Sequence, residues 1–558
     1  MKKNAVFILS LLFITTLNYN CIAQWSSNSL INTVISDIPV YEEATPLQAN
    51  TIDGKTFISY FENSTSGYLM KMQLLDSLGN KLFGNSGLLV SNHPQNTALF
   101  RYDLKIDLQG NAILAFQDQR SGNLGIYAYK IDTTGNELWG VNGITLHLDT
   151  ATTELAPKIG ILSNNDVVIS WNASGSGNWK SVPYQKISSA GILTWSTPKI
   201  ISGALKYSRP TVLGISNEQF IIVFILETGT GLGVSTIKAQ QFDINGVPIW
   251  PSNITVSSYT TGFAAIPKVI SDNNDGCYVG FDTGTPGNPF QNDVFVQHIR
   301  ANGSLAWTTN GKEVSALATN NKNIRKLTFR SADNHIYVLL KVLDSGQSLS
   351  GVYGQSLDTA GVAQFTTNGS LLVPLSSTLY AEPYDWSDAG DGFITLYTQG
   401  TFGNNQMRSL KMDYAGSLVW TGISISSAIS NKTNASCSDF KNGQVVCVWE
   451  DDRNDRGIYA QNSSTTGTIG VLTGLPNISD NASINISTMV NDKIIIKKNN
   501  SETFDFQLYS LEGKLVLEQK IIASNMELDI AKFKSGTYLY RLKSTQQLLT
   551  GKIIKIAE

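Results

Sequence analysis

The chain has 558 residues, of which 15% are charged, and a formal net charge of −3. This near-neutral balance, with Lys and Arg spread thinly, excludes the basic face on which nucleic-acid binding depends. Many Ser, Thr and Asn residues, 47 Gly residues and no long helical periodicity indicate β-sheet joined by polar turns.

The first 23 residues have the pattern of a secretory signal peptide. Two lysines precede an apolar run over residues 5–17, which is too short to cross a bilayer. Small residues at the end of this segment predict cleavage between Ala23 and Gln24. Acylation of Cys21, as in a lipoprotein, is the alternative. No other stretch of the sequence predicts a membrane span.

From residue 24 onward, one short phrase recurs about every 55 residues. Each copy has a strand, an Asx turn, a glycine and an aromatic residue four places after the glycine. We expect the glycine to occupy a tight turn and the aromatic to pack against the neighbouring unit. A period of this size, built from strands, predicts an array of β units. The copies are Gly79–Phe83, Gly135–Trp139, Gly191–Trp195, Gly246–Trp250, Gly303–Trp307, Gly361–Phe365 and Gly416–Trp420.

The two ends of this region carry complementary halves of one more copy. A half-phrase over residues 458–461 leads to Gly467 but lacks its aromatic, whereas Trp25 opens a strand-like run without a preceding glycine phrase. Joining the halves makes an eighth unit and closes the array. We therefore predict an all-β protein with an eight-bladed β-propeller over residues 24–470, closed by the N-terminal strand, with seven blades as the alternative.

Alternation and turn signals place four strands in each unit. In the second unit they predict strands over residues 102–106, 112–116, 126–131 and 139–146. The second strands are nearly continuously apolar, as expected of strands buried between neighbouring sheets.

Removal of the leader leaves three cysteines, of which Cys437 and Cys447 flank the Asn442-Gly443 turn. A two-residue turn would place Ser438 opposite Cys447 and leave the two cysteines diagonal. A disulfide between them then requires a longer loop, and both the bridged and the free state stay open. Cys277 is expected to be a small buried apolar residue.

The last eighty residues differ from the repeat. Residues 471–481 form a predicted linker, and short alternating strands over residues 482–558 predict a small β-sandwich. Here the sequence becomes specific. FQLYSLEGKLV contains Gly513 and Lys514, LDIAKFKSGTYLYRL contains Gly536 and Tyr538, and the closing GKIIKI contains Lys552 and Lys555.

These motifs resemble the type A C-terminal sorting domain of the type IX secretion system of Gram-negative bacteria. The usual Pro-Asn-Pro opening is absent from the segment NASINISTMVNDK. The resemblance implies that the signal peptide directs passage through the inner membrane. The C-terminal domain then engages the type IX machinery at the outer membrane, which places the protein at the cell surface or outside the cell. An ordinary immunoglobulin-like module is the alternative.

Most candidate catalytic and metal-ligating residues in the sequence lie in predicted turns. The four histidines, His93, His147, His298 and His335, fall in different units without metal-ligand spacing. The run 272–276 resembles part of a calcium loop but lacks its bidentate glutamate, which favours a turn. The acidic cluster at 450–455, and Asp118 with Arg120, follow second strands as solvated loops, as turn-stabilising ion pairs or as general acids and bases. We therefore predict no catalytic, cofactor-binding or metal-binding residues.

The segment YAYKIDTTGNELW (127–139) is similar to the tryptophan-docking phrase of eight-bladed quinoprotein dehydrogenases and of outer-membrane assembly propellers. This similarity supports a ring of blades. The adjacent cysteine pair and the calcium ligands of the dehydrogenases are absent from the sequence, so the similarity does not imply a redox cofactor.

Three functions are compatible with the sequence. The first is an exported, non-catalytic binding or adhesion protein for a glycan or a protein. The second is a carbohydrate-active enzyme, a glycoside hydrolase or polysaccharide lyase, whose acids would cluster at one mouth of the ring about 5–10 Å apart. The third is a quinoprotein oxidoreductase. A propeller fold does not choose among them, and the sequence does not indicate the ligand.

Overall fold

The structure, a computed structural model, is built from β-strands. It describes residues 25–96, 98, 101–147, 151–175, 180–228, 234–262, 265–285, 288–401, 403–470, 484–486, 489–498, 503–510, 514–544 and 548–555. The predicted cleavage site at Ala23 and Gln24, the predicted linker 471–481 and Gly513 lie outside these residues. Over the described ranges no helix has the length and apolar character needed to cross a membrane.

Strand β1 (Thr33–Ser36) precedes seven consecutive four-stranded antiparallel sheets. Sheet 1 contains β2 (Glu43–Asn50), β3 (Thr56–Glu62), β4 (Tyr68–Leu75) and β5 (Leu88–Gln95). Sheet 2 contains β6 (Asp103–Ile106), β7 (Ala112–Ser121), β8 (Asn123–Ile131) and β9 (Ile144–His147). Sheet 3 contains β10 (Thr153–Ile161), β11 (Val167–Ser174), β12 (Lys180–Ile187) and β13 (Lys199–Ile201). Sheet 4 contains β14 (Lys206–Gly214), β15 (Phe220–Glu227), β16 (Ser235–Phe242) and β17 (Ile254–Ser257).

The same arrangement continues along the chain. Sheet 5 contains β18 (Lys268–Ser271), β19 (Cys277–Thr285), β20 (Asn288–Ile299) and β21 (Lys312–Glu313). Sheet 6 contains β22 (Asn321–Arg330), β23 (His335–Leu343), β24 (Ser350–Asp358) and β25 (Ser370–Ser376). Sheet 7 contains β26 (Tyr380–Asp388), β27 (Phe393–Thr401), β28 (Asn404–Met412) and β29 (Leu418–Ser430).

Sheet 8 takes its strands from both ends of the repeat region. It contains β30 (Lys432–Cys437), β31 (Gln444–Asp451) and β32 (Gly457–Ser464), and its fourth strand is β1. Strand β1 pairs antiparallel with β32, with Thr33 opposite Ala460 and Val34 opposite Tyr459. The N-terminal strand therefore occupies the edge position that the fourth strand occupies in the other seven sheets.

Apolar cores lie between successive sheets. Sheets 1 and 2 share one that includes Phe57 and Phe116, and similar cores continue along the chain to sheets 7 and 8. Sheet 8 shares a further core with sheet 1, which includes Trp25, Ile58 and Val448. Each first strand packs against the next, and β30 packs against β2. Burial on both faces explains why the second strands are nearly continuously apolar.

The aromatic residue of each repeat copy packs on the glycine of the next copy. Trp25 packs on Gly79, where a Cβ atom would lie 2.7 Å from the indole and φ is +85°, so only glycine fits this turn. Its indole N–H donates to the Ser77 carbonyl at 3.1 Å. The other pairs are Phe83 with Gly135, Trp139 with Gly191, Trp195 with Gly246, Trp250 with Gly303, Trp307 with Gly361, Phe365 with Gly416 and Trp420 with Gly467.

The fourth strand of sheet 2 begins later than the sequence predicts. Strand β9 starts at Ile144, whereas the sequence places this strand from residue 139. Trp139 lies in the preceding turn, is only 9% exposed and packs against the neighbouring sheet. The aromatic therefore joins two sheets, and this contact requires the chain to turn before the strand begins.

The register of the β30–β31 hairpin also differs from the prediction. Asn442 and Gly443 do form a two-residue turn, because Lys441 and Gln444 bridge across it. Ser438, however, pairs with Val446, so residues 439–440 face the single residue 445 and form a bulge. The extra residue places Cys437 directly opposite Cys447.

The C-terminal strands form two sheets. A three-stranded sheet contains β33 (Ile484–Ile486), β35 (Lys493–Lys498) and β38 (Asn525–Asp529). A five-stranded sheet contains β34 (Met489–Val490), β36 (Phe504–Ser510), β37 (Leu515–Ile521), β39 (Gly536–Lys543) and β40 (Leu548–Lys555). The two sheets share a core that includes Ile494, Phe506 and Leu542.

Candidate anion-binding site

Eight equivalent residues form one layer on the first strands of sheets 1 to 8. Each pairs with the fourth residue of the buried run in the second strand of its sheet. Each is partly exposed, although its own strand is flanked by other sheets. We call this set the axial layer. Its members are Leu47, Asp103, Lys158, Thr211, Lys268, Lys326, Asp385 and Ser436.

A β-bulge precedes the axial layer in six of the eight described first strands. In sheets 3 and 4 the bulge residues Ala156 and Arg209 have positive φ angles of 54° and 53° and are followed by proline. A side chain from the neighbouring sheet stabilises each bulge. Gln117 accepts a hydrogen bond from the Ala156 N–H at 3.2 Å, and Asn172 accepts one from the Arg209 N–H at 2.6 Å. These contacts explain polar residues at the ends of apolar second strands.

Charged residues dominate the axial layer. Lys158 lies 3.6 Å from Asp103, and Lys326 lies 2.8 Å from Asp385. The Lys268 ammonium has no ion pair or hydrogen bond among the described residues. The layer itself therefore has three cations and two anions, and the Asp282 carboxylate on β19 adds a third anion that acts on Lys268.

Charges from several sheets act on Lys268. The pKa of Lys268 is lowered to about 8, chiefly by burial and also by the charges of Lys158 and Lys326, whereas the charges of Asp282 and Asp385 act in the opposite direction. These groups come from sheets 3, 5, 6 and 7.

Three arginines lie one or two residues before members of the layer. Arg325 pairs with Glu382, and Arg209 donates to the Ala265 carbonyl at 3.1 Å and lies 4.0 Å from Glu227. Arg101 has no ion pair among the described residues, and burial together with the Arg209 charge lowers its pKa. In the described part of this region, Arg101 and Lys268 are thus cations that form no ion pair.

Of the four histidines, which the sequence places in different units, His298 makes a contact between neighbouring strands. His298 Nε2 lies 2.8 Å from Asp272, and its ring stacks on Tyr278 at 4.3 Å. Asp272 also accepts hydrogen bonds from the N–H groups of Asn274 and Gly276, so the run 272–276 is a turn. Over the described ranges, no three His, Cys, Asp or Glu side chains come close enough together to hold a metal ion.

The acidic residues that follow second strands are engaged in structural contacts. Asp451 is buried and accepts from Trp449 Nε1 at 2.9 Å and from Arg453, and these contacts lower its pKa. Glu450 accepts from Thr433 at 2.8 Å. Asp118 binds Arg120 with both carboxylate oxygens. Carboxylates held in this way are poor general acids.

The structure contains one carboxyl pair that sequence reasoning missed. Glu43 and Glu62 lie opposite each other on β2 and β3. Burial raises the pKa of Glu43 to about 8, and the Glu62 charge adds to this effect. Only Oε1 of Glu43 is hydrogen-bonded, by Ser36 and the Ile38 N–H. The sequence carries no signal for this pair, because nothing marks which strand ends become buried.

The residues of the predicted sorting motif lie on the C-terminal sheets. Lys514 directly precedes β37, and Gly536 opens β39 with a φ of +151°. The Tyr538 hydroxyl donates to the Lys534 carbonyl at 2.8 Å, and Lys552 is exposed. The Lys555 ammonium is buried and contacts Asp492 and the Ile530 carbonyl, both at 2.9 Å. Lys555 therefore ties the last strand to the rest of this domain.

Comparison with known families explains the C-terminal domain. Residues 490–556 match the secretion system C-terminal sorting domain family. This match confirms the sorting domain predicted from the motifs, and it indicates that the protein is exported to the cell surface or secreted. Among curated proteins, none is significantly similar in sequence to this chain.

Several solved structures are similar in fold. An ulvan lyase from a polysaccharide lyase family has 11% identity and a TM-score of 0.46, over 79% of this chain and 97% of that chain. The periplasmic gluconolactonase of Pseudomonas aeruginosa has 12% identity and a TM-score of 0.39, over 70% and 98%. An α-L-arabinanase of Penicillium chrysogenum has 13% identity and a TM-score of 0.34, over 57% and 99%. Such distant similarities assign no activity to this chain.

Proposed function

We propose that this protein is an exported, eight-bladed β-propeller that binds an acidic glycan at its axial layer. The propeller spans residues 24–470, a linker covers 471–481 and the sorting domain covers 482–558. The place of β1 in sheet 8 supports closure by the N-terminal strand. The core shared by sheets 8 and 1, and the contact of β30 with β2, support it as well.

Export follows from the two ends of the chain. The match over residues 490–556 supports delivery by the type IX machinery. The signal-peptide pattern, with cleavage between Ala23 and Gln24, would supply the first step across the inner membrane. In this scheme the type A motif residues, from Gly513 to Lys555, belong to the part of the domain that the machinery recognises.

The observation that carries the binding function is Lys268, an ammonium that makes no ion pair or hydrogen bond among the described residues and lies in the field of two lysines and two carboxylates. Forming an ion pair with a carboxylate or sulfate would relieve the repulsion between Lys268, Lys158 and Lys326. An extended acidic polysaccharide could present such groups to residues recessed on the inner strands. A folded protein surface would contact the rim of the layer instead.

Binding tests of the purified full-length protein would decide this function. We expect a soluble polyuronate or sulfated polysaccharide to bind in isothermal titration calorimetry and a neutral glucan not to bind. Lys268→Met should weaken acidic-glycan binding at least tenfold. The matched control Lys441→Met removes an equal charge from an exposed turn and should leave affinity unchanged. Equal binding of acidic and neutral glycans would overturn the proposal.

A second candidate is a carbohydrate-active enzyme of the polysaccharide lyase class, and it is favoured by the lowered pKa of Lys268. An amine with a pKa of about 8 is partly neutral near pH 7 and can accept a proton from carbon next to a uronate. The neighbouring cations would stabilise the resulting negative charge. Appearance of ultraviolet-absorbing unsaturated uronate, lost in Lys268→Met, would establish the lyase in place of the binding role.

A further inference from the structure

Cys437 and Cys447 form a matched pair on neighbouring strands of sheet 8. Cys437 ends β30, Cys447 lies in β31, and the two residues are directly opposite in the ladder. Both are buried, and their sulfur atoms are 3.7 Å apart. The third described cysteine, Cys277, lies in sheet 5, so its sulfur is far from this pair in the fold.

The hydrogen bonds around the pair define its geometry. The next residue pair towards the turn is bonded through the Ser438 N–H and the Val446 carbonyl. The Cys437 N–H points away from β31 and donates to Asp385 of sheet 7 at 3.2 Å. The cysteines therefore occupy a non-hydrogen-bonded position of the antiparallel ladder, where opposite Cα atoms approach to about 4.5 Å. This separation lies within the range that a disulfide spans.

We propose that Cys437 and Cys447 form a cross-strand disulfide bond while the protein is exported. The oxidant is a disulfide, carried by a thiol oxidase or a small molecule outside the cytoplasm. One cysteine thiolate attacks the oxidant and forms a mixed disulfide, and the second thiolate displaces the reduced sulfur. The two cysteines lose two protons and two electrons, and the oxidant disulfide becomes two thiols.

The bond forms before sheet 8 is complete. The folded hairpin buries both sulfurs among Trp449, Met407 and other residues of the core between sheets 7 and 8, where an oxidant has no access. The contact with Cys447 and burial both raise the pKa of the Cys437 thiol, so the folded pair is chemically inert. Closing the gap from 3.7 Å to a bond length needs only rotation of the side chains, because the backbone separation already fits.

The position of the bridge gives it a role in the fold. It joins β30 to β31, and β31 supports β32, on which the N-terminal strand β1 pairs. A covalent link between β30 and β31 stabilises the part of sheet 8 on which β1 pairs. The bridge therefore lies in sheet 8, whose strands come from both ends of the repeat region.

Peptide mapping tests the bond directly. The exported full-length protein is alkylated under denaturing, non-reducing conditions and digested with trypsin. Cleavage after Lys441 separates the cysteines into TNASCSDFK (433–441) and NGQVVCVWEDDR (442–453). We expect one linked species, two hydrogen masses lighter than the sum of the two peptides, and an alkylated Cys277 in peptide 269–300. Two separately alkylated peptides, or a link to the Cys277 peptide, would overturn the proposal.

A stability measurement provides the second readout. Closure of a loop of about 11 residues predicts that protein reduced in denaturant and then refolded melts about 3 °C below the oxidised protein. Cys277→Ala should keep this difference between oxidised and reduced protein. Cys437→Ser should abolish it, whatever its own melting temperature. Equal melting of the oxidised and reduced wild-type protein would count against the bond.

Discussion

Replacing Trp25 by alanine tests the seam between sheet 8 and sheet 1. Trp25 is 3% exposed and belongs to the core shared by these two sheets. Its ring covers Gly79, its indole N–H donates to the Ser77 carbonyl at 3.1 Å, and its backbone N–H donates to the Leu78 carbonyl at 3.1 Å. Removing the side chain opens a cavity and leaves the Ser77 carbonyl with a single side-chain donor, Gln444 Nε2 at 2.6 Å.

The expected loss is large for a single side chain. Truncating a buried tryptophan costs about 3–5 kcal/mol of unfolding free energy. The lost indole hydrogen bond accounts for about 1 kcal/mol of this cost. An unfolding entropy of about 2.1 cal/mol/K per residue, over roughly 450 residues, gives about 0.9 kcal/mol/K. We therefore expect Trp25→Ala to lower the melting temperature by about 3–6 °C.

Thermal unfolding followed by circular dichroism measures this change. Two controls separate the seam from general effects. Trp307→Ala removes a tryptophan from the equivalent position of another repeat copy, where the side chain is only half-buried. This variant should lower the melting temperature less than Trp25→Ala. Val141→Ala changes a side chain that is 84% exposed and should shift melting by under about 0.5 °C. Equal melting temperatures of Trp25→Ala and Val141→Ala would show that Trp25 does not stabilise the contact between sheets 8 and 1.

Three further predictions concern binding, pH and export. Because Lys268 has a pKa of about 8, its positive charge is lost as pH rises through 8. Acidic-glycan affinity, measured by calorimetry at constant ionic strength, should therefore fall between pH 7 and 9. An unchanged affinity in that interval contradicts the site. The pKa of Glu43 is raised from 4.5 to about 8, so its stabilising contribution is complete below pH 4.5 and lost as pH rises to about 8. Glu43→Gln should remove this loss, on the order of 2–4 kcal/mol between pH 5 and 8, and parallel denaturation profiles of variant and wild type would exclude the effect. Deleting residues 490–558 should leave the propeller inside the outer membrane in cell fractionation, and unchanged surface display would remove the sorting role.

Local features of the fold were predictable because short-range chemistry produces them. The Gly79 turn, the aromatic four residues later and the apolar second strands follow from backbone sterics and burial, which act within one repeat. The sorting motifs also lie within short segments. The strand starting at Ile144 was predicted five residues early, because the packing of Trp139 on the next sheet is a tertiary contact.

The candidate site was not predictable from the same patterns. Lys158, Lys268 and Lys326 are ordinary strand lysines in sequence, separated by more than 50 residues each. They become one electrostatic system only when the first strands of different sheets converge. The pairing of Glu43 with Glu62, and the burial that raises the Glu43 pKa, depend on the same assembly.

The sequence alone determined the repeat, its strand-rich character, the complementary halves at its ends and the sorting tail. These features arise from residue spacing and turn chemistry, which operate between near neighbours in the chain. The tertiary structure alone decided which charges act on Lys268 and that Cys437 faces Cys447. One bulged residue shifts a strand register by one place, and side chains alternate in direction along a strand. Such a shift changes every long-range partner while leaving the local pattern intact.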